Sequence, residues 1–357
     1  MSKLTTRFDG FVLDNPLMPA SGPLVGDADK LLYLQDLGVG ALVTKTISTK
    51  EPHIPRPCIY GDRQFVMNSE LWSEHSAERW ITEFLPTLQA AKTRPLIISV
   101  GYTKDDMDEL IPKLDPFADA FEISTHYVGT DLTVIADTVR TICSHTDKPV
   151  YMKISPHLTD PIGFARAVRD AGASGLVAIN SLGPTMYINA AKRAIEYAPE
   201  SGFVWTSGPV IKHLAQATVY TIKQAMPDFT VIGVGGIGNA EDIVEFLLAG
   251  ADAVQMLSAA LLKGKDLYAT ILKRLPETLD KLGFDSIEAI KKTTLANPVR
   301  YAKQVPTWLE EPCTMCGLCE RICPYFAITM DDAIHIDPDL CFGCGLCISK
   351  CPVAALR

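Results

Sequence analysis

Three things are scarce in this chain of 357 residues, and each scarcity excludes something. No uninterrupted apolar run has bilayer-spanning length, and the opening MSKLTTRFDGF carries no apolar core of the kind that directs secretion. Neither a membrane partner nor export is therefore expected, and a cytoplasmic location follows. Positive charge is not in excess: 33 basic against 42 acidic residues leave a formal net charge of -9, which argues against a nucleic-acid or anionic-membrane surface. Spare cysteine is also short, because only Cys58 and Cys143 of the ten cysteines lie outside one C-terminal stretch. Cys143 sits in an apolar helical pattern, TVIADTVRTICSH, and reads as a buried inert thiol; Cys58, in the Pro-rich PHIPRPCIY, is given no role.

What is present is the composition of an ordinary globular enzyme, 47% hydrophobic and 21% charged, with a distinctive tail. Residues 313–352 read CTMCGLCERICP and, after a short acidic spacer, CFGCGLCISKCP. Each half is CxxCxxCxxxCP, the run that wraps one [4Fe-4S] cluster and lends its fourth cysteine to the neighbouring cluster. Cys313, Cys316, Cys319 and Cys351 are predicted to hold one cluster, and Cys341, Cys344, Cys347 and Cys323 the other. A disulfide framework fits a large chain without a secretion signal poorly, and a zinc site rarely needs three close cysteines plus a fourth, twice over. Such a module carries electrons and has no substrate of its own.

Upstream, eight apolar segments alternate with amphipathic helical patterns: NPLMPAS, ALVTKTI, PLIISVG, AFEIST, PVYMKIS, GLVAINS, TVIGVGG and AVQMLS. Strands apolar throughout and linked by helices predict a parallel sheet, and eight units predict closure into a (β/α)8 barrel rather than an open doubly wound sheet. The expected architecture is a barrel over residues 1–300 and a linker with a small α+β ferredoxin-like two-cluster domain over 301–357. Active sites of such barrels lie at the carboxyl ends of the strands. Those ends carry Ala20, Ser21 and Gly22; Lys45 and Thr46; Ser99; Ser124, Thr125 and His126; Lys153; Asn180 and Ser181; Gly235 and Gly236; and Ser258. Two lysines there are unusual, since lysine is seldom buried without an anionic partner; the bland alternative is a surface residue at a strand terminus. GVGGIG at 233–238 formally satisfies the dinucleotide fingerprint GxGxxG but comes late in the chain. The preferred reading is the phosphate site of a flavin mononucleotide, built from backbone amides of Gly235 and Gly236 with those around Leu257 and Ser258.

At NPLMPASG, ALVTKTIS, NSELWSE, EIST, VYMKIS, INS, SGPVIK, IGVGGI and VQMLSA, followed by the two-cluster tail, the chain resembles the dihydroorotate dehydrogenase superfamily. It is most similar to the flavin and iron-sulfur part of dihydropyrimidine dehydrogenases. The resemblance implies FMN in the barrel, with Ala20, Ser21, Gly22, Lys45 and Lys153 around the isoalloxazine, Gly208, Gly235, Gly236, Leu257 and Ser258 at the phosphate, and Thr46, Asn180 and Ser181 also binding the cofactor. It also implies that Asn68, Glu70, Asn180 and Ser181 face a flat substrate ring, with Glu122 standing where the family has asparagine. A second departure puts Thr125 where the family has a cysteine acid/base, so that Thr125, assisted by His126, becomes the candidate proton donor, with Lys45 also in the catalytic set. For His126 the bland alternative is a residue that merely packs in a short loop.

The activity so implied is oxidoreduction of a C=C bond in a small conjugated substrate, with a pyrimidine-like ring as the default expectation. Electrons would come from ferredoxin or an FAD-containing NAD(P)H subunit, in a homodimer or hetero-oligomer. Two alternatives stay open: an electron-transfer subunit with a vestigial pocket, favoured by the missing cysteine, and a redox-neutral isomerase, disfavoured by the clusters.

Overall fold

The computed structural model describes residues 2–101, 103–124, 129 and 131–357, which form two compact units, Met1–Leu295 and Ala296–Arg357. In the first unit one sheet holds eight parallel strands: β1 (Leu17–Pro19), β2 (Leu42–Val43), β3 (Leu96–Val100), β4 (Ala120–Ile123), β5 (Val150–Ile154), β6 (Gly175–Ala178), β7 (Thr230–Val234) and β8 (Ala253–Met256). Each strand from β2 to β8 pairs with the next in sequence, and β8 returns to pair with β1. The seam between β1 and β2 is spanned by the Gly40 N–H, which donates to Leu17 O at 2.8 Å. A Cβ at position 40 would lie 2.1 Å from Asn15 O, so the seam requires glycine. This is the expected (β/α)8 barrel.

Side-chain alternation along the strands sorts the core into two layers. Ile97, Ala120, Tyr151, Val177, Ile232 and Ala253 meet inside the barrel, while their neighbours Ile98, Phe121, Met152, Leu176, Val231 and Val254 pack outward among the helices. By the same alternation Glu122, Lys153 and Gln255, two residues beyond Ala120, Tyr151 and Ala253, turn inward at the carboxyl end. The covering helices begin where capping chemistry places them. Thr103 with Asp106 and Asn239 with Asp242 form reciprocal capping boxes ahead of Lys104–Leu114 and Ala240–Leu248.

The opposite end of the barrel is closed by the N-terminal hairpin Thr6–Phe8 and Phe11–Leu13, turned at Asp9 and Gly10, both with positive φ. Phe8 and Leu13 join the inner core, and Asp9 accepts hydrogen bonds of 3.0 Å from the Tyr151 hydroxyl and from Thr230 Oγ1. Burial pushes both the Asp9 carboxyl and the Tyr151 phenol above their usual ranges. At the carboxyl end, the connections after β2 and β6 supply a separate antiparallel sheet of four short strands, Ile59–Gly61, Val66–Asn68, Val204–Ser207 and Leu182–Thr185.

The second unit shows its internal repeat as structure. Two short helices, Leu318–Ile322 and Leu346–Lys350, each begin one residue before the third cysteine of a CxxCxxC run, and the hairpin Ile328–Met330 and Ile334–Ile336 lies between them in sequence. Ile328, Ile334, Cys347 and Leu356 form its small core, and Thr307 and Arg357 exchange backbone hydrogen bonds of 2.8 and 3.1 Å. Among the described residues, no helix is long and apolar enough to cross a membrane.

Candidate functional site

The carboxyl ends of the barrel strands open into a cleft of about 1230 Å³ including its mouth. Of the residues expected at this site, Ala20, Ser21, Gly22, Lys45, Thr46, Asn68, Glu70, Lys153, Asn180, Ser181, Gly235, Gly236, Leu257 and Ser258 line it. Gly208 stands beside it: its carbonyl oxygen is 3.0 Å from where a Cβ on Gly236 would fall. Thr125 and His126 lie outside the described residues. Trp72, Trp205, Ser207 and Gln255 also line the cleft and escaped the sequence reading. Gln255 carried a usable signal, being the one polar residue in the buried strand Ala253–Met256. Trp205 had none, because its short strand is defined by pairing with the distant Val66–Asn68, whereas Ser207 opens the quoted SGPVIK and was given no role.

Glu122, expected to face a substrate, lies instead behind the cleft wall. It is fully buried: Oε1 is 3.1 Å from Lys153 Nζ, and Oε2 accepts a 2.7 Å hydrogen bond from Gln255 Nε2. Inward alternation on the adjacent strands β4 and β5 and on β8, which pairs with neither of them, brings these polar groups together inside the barrel. Gln255 Oε1 is left buried with no hydrogen-bond partner among the described residues. Such an acceptor costs free energy unless a ligand donor reaches it.

Lys45 is the second buried cation. Its Nζ lies 2.7 Å from Glu70 Oε1 and 3.5 Å from Glu74 Oε2, yet neither contact has hydrogen-bond geometry, so its donors remain available. Beside it Thr46 links hydroxyls at 3.0 Å to Ser21 and to Ser99. Asn68 Oδ1 accepts from the Glu70 N–H at 2.5 Å, which leaves its NH2 to donate elsewhere. Asn180 Oδ1 accepts from the Ser181 N–H at 2.8 Å. Cys58 does not line the cleft, and burial followed by the Glu70 carboxylate pushes its thiol upward, away from a ready thiolate.

The glycine end of the cleft has the form of a phosphate cradle. Gly235 and Gly236 have φ of 125° and 80°, and a Cβ on Gly236 would fall 2.6 Å from Lys212 Cβ and 2.9 Å from Lys212 Cα. Only glycine lets the chain turn here with its amides bare. Ser207 and Ser258 hydroxyls, 2.7 Å apart, complete this end. A bare-amide cradle, a buried acceptor lacking a donor and two buried ammonium groups fit the phosphate and heteroaromatic ring of FMN.

In the second unit the cysteines separate into two cavities of about 350 and 320 Å³. Cys313, Cys316, Cys319 and Cys351 line one; Cys323, Cys341, Cys344 and Cys347 line the other. These are the interleaved sets that the spacing predicts. Among the described residues, no three His, Cys, Asp or Glu side chains converge as around a single metal ion. Four cysteines spread around each cavity match the corners of a cube instead. The fourth ligand of each run is prepared alike: Cys323 Sγ accepts from the Ala327 N–H at 3.4 Å and Cys351 Sγ from the Ala355 N–H at 3.1 Å. Amide donors of this kind favour the ligating thiolate and tune cluster potential.

Comparison with known proteins bears on both units. Residues 3–279 match the dihydroorotate dehydrogenase family, and residues 312–355 match the 4Fe-4S dicluster domain. Similar curated proteins include the catalytic subunit of dihydroorotate dehydrogenase B (NAD(+)) from Pyrococcus horikoshii, 33% identical over 299 residues, covering 80% of this chain and 96% of that protein. The protein of the same name from Listeria innocua is 30% identical over 310 residues, covering 83% and 99%. That from Anoxybacillus flavithermus is 33% identical over 305 residues, covering 80% and 94%.

Proposed function

We propose, from the premise that the chain belongs to the dihydroorotate dehydrogenase family, that it interconverts a C=C and a CH–CH bond in an uncharged conjugated ring. Membership makes it a flavoprotein oxidoreductase acting on a CH–CH bond, and the dicluster domain makes it an iron-sulfur protein. When bound, FMN supplies hydride chemistry and the clusters supply one-electron transfer. The finer reading concerns what this chain's own residues do around them.

The observation that carries the reading is the charge balance of the cleft. Its charged lining residues among those described are Lys45, Lys153 and Glu70, and the lysines pair with Glu70, Glu74 and Glu122. Two cations against three carboxylates leave no uncompensated positive charge to receive an acidic substrate. Dihydroorotate, named in the relatives' activity, bears a carboxylate; a neutral ring with amide or imide edges suits this cleft better. Asn68, Asn180 and Ser181 would orient that ring through their mixed donors and acceptors, and Trp72 and Trp205 would narrow the space above it. Thr125, assisted by His126, remains the proposed source of the proton that must reach the face opposite the hydride. External electrons would arrive through the clusters from ferredoxin or an FAD-containing NAD(P)H subunit, in a reducing cytoplasm.

The test is anaerobic photoreduction of the holoenzyme, followed by mixing with uracil, thymine, simple enones and orotate while flavin absorbance is followed. Fast reoxidation by a neutral ring and slow reoxidation by orotate are expected. Preference for orotate would overturn the substrate class, and failure of every ring compound would favour a flavin relay with a vestigial pocket.

A further inference from the structure

The Glu122 network does more than fill the barrel. We propose that Glu122 is the positioning residue that sets the electrostatics of the flavin site, offsetting the Lys153 ammonium and fixing the Gln255 amide so that its carbonyl meets the bound ring. The inference rests on reading the cleft floor as the flavin site.

Three observations carry it. Glu122 is fully buried and does not line the cleft, so it acts on a ligand only through Lys153 and Gln255, which do line it. Both of its oxygens are engaged, one by each partner. An ionised carboxylate only accepts hydrogen bonds, so Gln255 must present its NH2 to Glu122, leaving Oε1 as the acceptor. That oxygen is buried without a partner among the described residues, and the ring N–H of oxidised flavin is a matching donor.

The electrostatic consequence has a definite sign. A lone ammonium facing the flavin would favour the anionic reduced ring and raise its potential. With a carboxylate 3.1 Å behind that ammonium, the pair is close to neutral as seen from the cleft, and the potential is held lower. A flavin poised low exchanges electrons more readily with ferredoxin-type clusters, which themselves lie low on the potential scale. Glu122 therefore biases the site toward reducing its substrate with electrons from the clusters.

The experiment uses the full-length holoenzyme and two readouts, the FMN midpoint potential and the affinity of the flavin for sulfite, which bleaches flavin and tightens with positive charge near the ring. E122Q should raise the potential and tighten sulfite binding at least tenfold, and E122Q/K153Q should return both close to wild type. The inference is overturned if E122Q leaves both unchanged or if the double variant stays with E122Q. Should E122Q fail to retain FMN, the double variant decides alone. Sulfite affinity within threefold of wild type supports compensation, and a tenfold loss shows that Lys153 acted as an open cation. Wild-type protein without bound FMN would overturn the flavin-site reading itself.

Discussion

Lys45 and Glu70 show how one pair of side chains constrains the substrate. On the proposed reading, holding both in the cleft wall would remove a positive site for an acidic ring, because the ammonium is paired at 2.7 Å. Glu70→Gln should therefore shift preference toward carboxylate-bearing rings, with kcat/KM for orotate rising relative to uracil by about tenfold, the equivalent of ~1.4 kcal/mol. Competition assays on the photoreduced enzyme measure that ratio. The lysines at strand ends were legible because lysine is costly to bury unless something charged meets it. Their partners were less legible. Glu122 was marked by its departure from a family pattern, but a substrate-facing role was assigned to a residue that alternation turns into the barrel, beneath the cleft wall. Gln255 required counting by twos along its strand from Ala253.

Among the elements, the eight strands were readable because each is a short apolar run bounded by turn residues and separated from the next by a helix pattern. The four-stranded antiparallel sheet over the carboxyl end was not, since its strands are only three or four residues long and its central pair, Val66–Asn68 with Val204–Ser207, joins positions more than a hundred residues apart. The helix Lys212–Ala225 carries a weaker sequence signal, its narrow apolar stripe of Ala215, Val219 and Ile222 being diluted by polar neighbours. Two elements offer direct tests. Gly236→Ala would place a Cβ 2.6 Å from Lys212 Cβ in the proposed phosphate cradle, and FMN affinity measured by fluorescence quenching should fall at least tenfold while the barrel stays folded. Gly10→Ala meets nothing within 4 Å, so its cost is that of a positive φ alone: about 1 kcal/mol, seen as a lower melting temperature with flavin affinity unchanged.

For the molecule as a whole, the division at Leu295 would, under the proposed function, separate chemistry from electron supply. Protein ending at residue 295 should keep FMN and its reoxidation by a neutral ring, but lose about eight irons per chain and all ferredoxin-linked turnover. Iron analysis and a coupled ferredoxin assay measure both, and retained turnover would refute the proposed route. Inside the tail, Cys323→Ser should damage the cluster of Cys341, Cys344 and Cys347 first, with that of its own half lost afterwards, as separate electron paramagnetic resonance signals of the two clusters would report.

Exchange of the fourth ligand between the two halves also governs how the tail is built. Because the fourth cysteine of each half lines the other's cavity, filling the first cavity should draw the opposite half into position and ready the second. Maturation should then run as a concerted event, with singly loaded protein scarce at every stage of iron delivery, and damage to one cube by oxygen should hasten loss of its twin.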